Sequence, residues 1–192
     1  MSSSSRCAGR PDAARRALVL AGGVLWLPTP AFARNPLPPE IAAELPGARL
    51  QGEGRLRWLG LHVYDARLWT QGPLDADALE RTPLALELLY ARALRGRLIA
   101  ERSIEEMRRV GDFADDQAQR WLAAMPQLFP DVTAGERITG VHRPGETARF
   151  HVNGRFAGEI RDAAFARLFF AVWLSPRTSE PALRSALLGK RP

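Results

Sequence analysis

The spacing of apolar residues changes period three times along this chain, and that order restricts the folds open to it. From Arg49 it alternates, with Leu50, Gly52, Gly54, Leu56 and Trp58 on one side and Arg49, Gln51, Glu53, Arg55 and Arg57 on the other. Such alternation predicts a strand with one covered and one wet face. Leu61 to Trp69, rich in β-branched and aromatic residues, predicts a second strand paired with the first, and Gly72-Pro73 stops it. Leu84 to Arg92 predicts a third, mostly apolar on both faces and therefore central. The period then becomes helical. Ser103-x-x-Glu106 has the form of a capping box, and Ala118, Trp121, Leu122, Met125 and Leu128 form one helical stripe that Pro130 ends. Strands return at Arg137 to Val141 and Ala148 to Val152, around Pro144-Gly145, and Asn153-Gly154 turns the chain into Arg155 to Ile160. In the last third Asp162 stands as a cap before Phe165, Leu168, Phe169, Val172 and Trp173, at i, i+3, i+4, i+7 and i+8, with Pro176 as the stop. A short helix from Pro181 to Leu188 closes at Gly189. Strands, helices, strands and helices in that order predict an α+β domain with a mostly antiparallel sheet and no internal repeat.

Ahead of this domain, Arg6, Arg10, Arg15 and Arg16 precede an apolar run from Ala17 to Leu27 and then Ala31-Phe32-Ala33. That is the layout of a secretory signal peptide over residues 1–33, cleaved after Ala33, and it predicts an exported, periplasmic protein. The residues flanking Arg15-Arg16 favour the Sec route over the twin-arginine route. The apolar run is shorter than the ~20 residues a membrane-spanning helix needs, so the mature chain is expected to carry no integral membrane segment. The single cysteine, Cys7, leaves with the signal, which excludes disulfides and thiolate chemistry from the mature chain. Residues 34–48, with Pro36, Pro38, Pro39 and Pro46, read as an extended lead-in that hugs the domain of residues 49–189 without joining its sheet. Of 27 basic and 21 acidic residues, four arginines and one aspartate lie in the signal, leaving a net charge near +3 that gives little reason to expect nucleic acid.

His62, His142 and His151 fall on three strands without ligand spacing, so no metal is expected. No nucleophile elbow or phosphate loop is present, and Gly52-x-Gly54 precedes a strand instead of a helix, so no cofactor is expected either. Asp112, Asp115, Asp116 and Asp131 read as carboxylates offsetting helix starts or turns, and Trp121 and Trp173 as core. The remaining set is basic and phenolic. By parity Arg55 and Arg57 share one strand face, His62 and Tyr64 another, and Tyr90 and Arg92 a third. Solvation is the plain reading of strand arginines. Under helices instead, the candidates Arg55, Arg57, Tyr64, Tyr90 and Arg92 would converge on an apolar cavity suited to a carboxylate or phenolate on a greasy body.

Three segments carry a family resemblance: Gly52-Glu53-Gly54-Arg55 leading to Val63-Tyr64-Asp65-Ala66-Arg67-Leu68-Trp69, then Trp121 to Val132, then Phe165 through Trp173-Leu174-Ser175 to Gly189. In this order and spacing the chain resembles the bacterial chalcone isomerase-like proteins over most of residues 45–189. The resemblance implies an open-faced β-sandwich, a large antiparallel sheet covered by helices with the ligand cleft between them. The family comprises plant enzymes that close chalcones to flavanones and relatives thought to bind fatty acids or to lack a known activity. The enzymes use an arginine for the substrate phenolate and hydroxyl side chains that order a water. Ungapped matching places their two threonines at Leu59 and Val172, while Arg49, Arg55 and Arg57 compete for the arginine. Loss of water-ordering hydroxyls costs orders of magnitude in rate. The expectation is an exported, non-catalytic protein binding a small amphipathic acid such as a fatty acid. The alternatives are an isomerase or lyase rebuilt around Tyr64, Tyr90 or His142, and a protein-interaction module of the cell envelope. An apolar cavity with one arginine favours lipid, a polar one with tyrosine or histidine beside the arginine favours an enzyme, and a cleft filled by Trp58, Phe169 and Trp173 favours the module.

Overall fold

Alternation gives each strand two unlike faces, and the register keeps those faces in phase across the sheet. The computed structural model describes residues 36–74 and 76–190; the expected signal peptide and its cleavage site lie outside them. Strands β1 (Arg49–Trp58), β2 (Leu61–Thr70), β3 (Leu84–Tyr90), β4 (Arg137–Arg143), β5 (Thr147–Val152) and β6 (Arg155–Ile160) form one sheet in chain order, every neighbouring pair antiparallel. On its inner face Leu68, Leu86, Gly140 and Phe150 stand opposite one another across β2 to β5. That face carries the helices α2 (Gly96–Val110), α3 (Asp115–Ala124), α4 (Ala163–Leu174) and α5 (Pro181–Leu187). The main core lies between the two layers, with the Phe165, Phe169 and Phe170 rings of α4 stacked and edge-on against one another and against Phe150. The α+β open-faced sandwich expected of the sequence is the fold observed.

The outer face is mostly charged, and here the lead-in differs from expectation. Residues 36–48 are not extended throughout: Pro39–Glu44 form a helix, α1, with proline at its first turn, where a missing N–H costs nothing. Ile41 and Leu45, four apart, press on Trp69, Ala85 and Val141 of the sheet, which favours a helix over an extended strand. Beside this small apolar cluster Glu40 accepts hydrogen bonds from Arg137 Nε at 3.0 Å and Thr139 Oγ1 at 3.1 Å, and Trp69 Nε1 donates to Glu87 Oε2 at 3.2 Å. The lead-in indeed stays out of the sheet.

Capping also departs from the sequence reading at one helix. Ser103 does not start α2, which begins at Gly96, and its hydroxyl donates to the Ile99 carbonyl at 2.8 Å within the helix. The true start is served from outside by Asp131, whose Oδ1 accepts from the Gly96 N–H at 2.8 Å. Asp162 behaves as expected, its Oδ1 accepting from the N–H groups of Ala164 and Phe165 at 2.9 and 3.1 Å.

Gly52 and Gly54 matter for proximity. A Cβ on Gly52 would lie 2.2 Å from the Ala186 carbonyl oxygen, so the G-x-G of β1 is where α5 lies directly on the sheet. The turn joining β1 to β2 has two residues, Leu59 and Gly60, with φ of +50° and +80°. Both central residues of such a primed turn need the left-handed region, where asparagine and glycine are the usual occupants; leucine there costs about 1–2 kcal/mol.

Candidate functional site

Where β1 to β3 emerge beyond the phenylalanines of α4, the inner face and the helices part to leave a cavity of about 440 Å³. Pockets for small organic ligands fall in that range. Its floor is Leu56, Tyr64, Leu88, Tyr90 and Ile138 from the strands; its walls are Leu98, Ile99, Arg102, Ser103 and Glu106 of α2 and Phe169, Val172 and Trp173 of α4. Thr178, Ser179 and Glu180, between α4 and α5, complete the rim. The lining is mostly apolar, with few polar groups.

Two of those are phenols. Tyr64 and Tyr90 face each other across β2 and β3 in register, their rings edge-on with centroids 5.9 Å apart. Trp173 Nε1 donates to Tyr64 Oη at 2.9 Å, which fixes both side chains in the wall. The Tyr90 hydroxyl, though the residue is only 3% exposed, has no hydrogen-bond partner among the described residues. Burial pushes both phenols well above their usual range, so both stay protonated and each keeps an O–H that a ligand can accept from.

The charged groups sit towards the opening. Arg102 is held by Glu106 and, at 3.0 Å, by Glu105, and its guanidinium lies 5.7 Å from the Trp58 ring centre. Glu106 is buried, with Arg109 Nε 3.3 Å away. Burial, and next the negative charge of Glu106, raise the Glu180 carboxyl, with Arg102 opposing them. Arg92 is exposed at the opening and has no acid partner among the described residues.

Of the five residues expected from the sequence to converge, the structure brings together Tyr64, Tyr90 and Arg92. It does not bring in Arg55 or Arg57. Leu56 shares the inner face with Tyr64, so Arg55 points outward by the strand's period of two, and Arg57, which follows a break in register after Leu56, also stays out of the lining. There Arg55 Nε meets Asp65 Oδ1 at 2.7 Å, and Arg57 donates to the Gly60 carbonyl in the turn. His62 also turns to Asp65, at 3.2 Å, and His142 lies deep under α4 against Phe170, with its Nδ1 3.1 Å from the Thr82 carbonyl. Leu59, matched to an enzyme threonine, lies in the hairpin turn, whereas Val172, matched to the second, does line the cavity. Trp58, Phe169 and Trp173 line the cavity without filling it. Among the described residues no group of three or more His, Cys, Asp and Glu side chains could hold a metal.

The α2 wall escaped sequence reasoning because Ser103 was read as the helix start. The signal was present: Leu98, Ile99, Arg102, Ser103 and Glu106 recur at three and four, the stripe of a helix already under way.

Compared with known proteins, the chain matches over residues 37–189 the family described as chalcone isomerase-like. Among solved structures it is similar to a crystal structure of an Arabidopsis thaliana fatty-acid binding protein. The TM-score is 0.60 at 16% identity, covering 74% of this chain and 87% of that one. No curated protein sequence matches it.

Proposed function

The chain belongs to the chalcone isomerase-like family, and from that premise we propose that it is a non-catalytic binding protein whose cavity takes a small amphipathic acid such as a fatty acid. The observation that carries this reading is the cavity's make-up: an apolar chamber of about 440 Å³, a free phenol at Tyr90 and an unpaired guanidinium at Arg92 by the opening. Tyr90 and Arg92 stand two apart, so a carboxylate at the opening could take both as donors while its chain lies among Leu56, Leu88, Ile138 and Phe169. The similar Arabidopsis structure is of a fatty-acid binding protein, which supports the same reading. An isomerase or lyase would need a base. The two phenols are kept protonated by burial and His142 lies outside the cavity lining, so an enzyme rebuilt around Tyr64, Tyr90 or His142 is not favoured. The carboxylates that do line the cavity are Glu106, engaged by Arg102, and Glu180. We further propose that residues 1–33 direct export to the periplasm and are cleaved after Ala33.

Expressing the full chain, recovering the protein natively and identifying co-purifying molecules by mass spectrometry tests this reading. A stoichiometric fatty acid is expected, held about ten- to a hundredfold more weakly by Arg92→Ala and Tyr90→Phe, each of which removes a hydrogen bond to a charged group. Arg57→Ala should bind as the unaltered protein does. An empty protein that also ignores added fatty acid would overturn the reading, and equal retention by Arg92→Ala and Tyr90→Phe would overturn the anchors. The same spectra read the amino terminus, where Arg34 is expected first.

A further inference from the structure

The end of the molecule that carries the cavity opening also carries most of its exposed apolar bulk. Trp58, Leu59 and Leu61, at the β1–β2 turn, are 55%, 87% and 54% exposed, and Leu98 of α2 is 48% exposed. Large exposed hydrophobics are few elsewhere among the described residues, namely Leu50 and Phe156. These four belong to one patch. Trp58 and Leu61 pair across the hairpin, Trp58 and Leu98 both line the cavity, and Leu59 sits at the tip between the paired residues. Leucine is also the wrong residue for the turn. With φ of +50° at Leu59 and glycine next, asparagine would suit the backbone, so folding gives no reason for an exposed leucine there.

The surroundings of this patch are basic. Arg57 sits beside the tip, Arg92 at the opening, and Arg95 precedes α2 three residues before Leu98, on the same stripe; none has an acid partner among the described residues. Of the nearby carboxylates, Glu101 is engaged by Arg97, and Glu105 and Glu106 by Arg102, which leaves Glu180 on the rim as the acid without an ion-pair partner among the described residues. A tryptophan and leucines on a turn, flanked by guanidiniums without acid partners, match the apolar-inside, anionic-outside layering of a lipid surface.

We propose that the β1–β2 tip docks this protein on anionic lipid bilayers, Leu59 and Leu61 entering the interface while Arg57, Arg92 and Arg95 meet the headgroups. Docking so oriented sets the cavity opening against the bilayer. Only its use as a transfer route for an amphipathic acid depends on the ligand reading above; the docking stands on the tip.

Vesicle co-sedimentation tests it, with protein recovered from expression of the full chain and stripped of lipid. Binding is expected to phosphatidylglycerol-rich vesicles, to weaken with added salt, and to be much lower on pure phosphatidylcholine. The double variant Leu59→Asn, Leu61→Thr should bind about tenfold or more weakly, and Arg57→Gln and Arg95→Gln about fivefold each. Leu59→Asn alone should keep or raise the urea midpoint, which separates lost docking from lost folding. Failure of the unaltered protein to sediment, or equal binding by the double variant, would overturn the proposal. So would a concentration-dependent dimer that Leu59→Asn abolishes in a protein that ignores vesicles, since the tip would then serve a second copy. Fatty-acid retention is read separately and can fail without touching this result.

Discussion

Asp162 joins two parts of the inner layer through one carboxylate, so its removal has a calculable cost. One oxygen caps α4, accepting from Ala164 and Phe165, and the other accepts from Trp121 Nε1 at 2.9 Å. Losing a cap of this type costs about 1 kcal/mol. The indole N–H belongs to a residue only 2% exposed, packed between Phe113 and Phe165, so water cannot replace the lost acceptor. A hydrogen bond to a charged group is worth about 1.5–3 kcal/mol. Asp162→Ala should therefore destabilise by about 3 kcal/mol, a fall in Tm of about 6–12 °C for a domain of this size. Asp162→Asn can keep the capping oxygen but turns an amide N–H₂ towards the indole, and should lose about half as much. Urea unfolding followed by far-UV circular dichroism measures both. A double-mutant cycle with Trp121→Phe should return a coupling of about 1.5 kcal/mol or more. A loss below about 1 kcal/mol for Asp162→Ala, or a coupling near zero, would refute the claim that the carboxylate serves both groups.

Two further outcomes follow from the same packing. Gly52→Ala puts a methyl 2.2 Å from the Ala186 carbonyl, so α5 must lift and thermal unfolding should reveal a loss of at least about 2 kcal/mol, whereas Gly72→Ala, with open space around it, should be near neutral. His142 is held neutral, its pKa pushed below 6.5 by burial with the Thr82 carbonyl opposing. A lowered histidine pKa means the unfolded chain takes up the proton first, so this contribution is complete above about pH 6.5 and is lost as pH falls below it. Urea midpoints measured between about pH 7 and pH 5 should fall more steeply for the unaltered protein than for His142→Phe, and parallel slopes would count against the histidine's role.

The elements were legible where period and punctuation agreed. Asn153-Gly154 and Pro144-Gly145 mark their turns, and Asp162 marks α4, because turn and cap chemistry is local. The start of α2 was not legible, because its N-terminal N–H is satisfied by Asp131, far away in sequence. Parity on β3 found Tyr90 and parity on β2 found Tyr64, whereas β3 ends at Tyr90, short of the expected Arg92, which reaches the cavity from the bend that follows. On β1 the same rule separates Leu56 from Arg55 and Arg57 but cannot say which set faces the helices. The glycines answer that, since Gly52 and Gly54 share parity with Leu56 and lie under α5. The short helix α1 was hidden because four prolines outweighed the four-residue spacing of Ile41 and Leu45.

The meander has a kinetic consequence. Three of the five strand pairings join neighbours linked by two or three residues and a fourth is closed by residues 71–83, whereas β3 and β4 must find each other across residues 91–136, so the largest loop-closure entropy falls on that one seam. The segment that closes the seam contains α2, and Tyr90 and Ile138 flank the seam, so the same stretch supplies the cavity's wall and joins its floor. The cavity therefore comes into being only with the least local pairing in the sheet. Any molecule it holds meets a completed fold and, bound there, draws the equilibrium towards the closed seam.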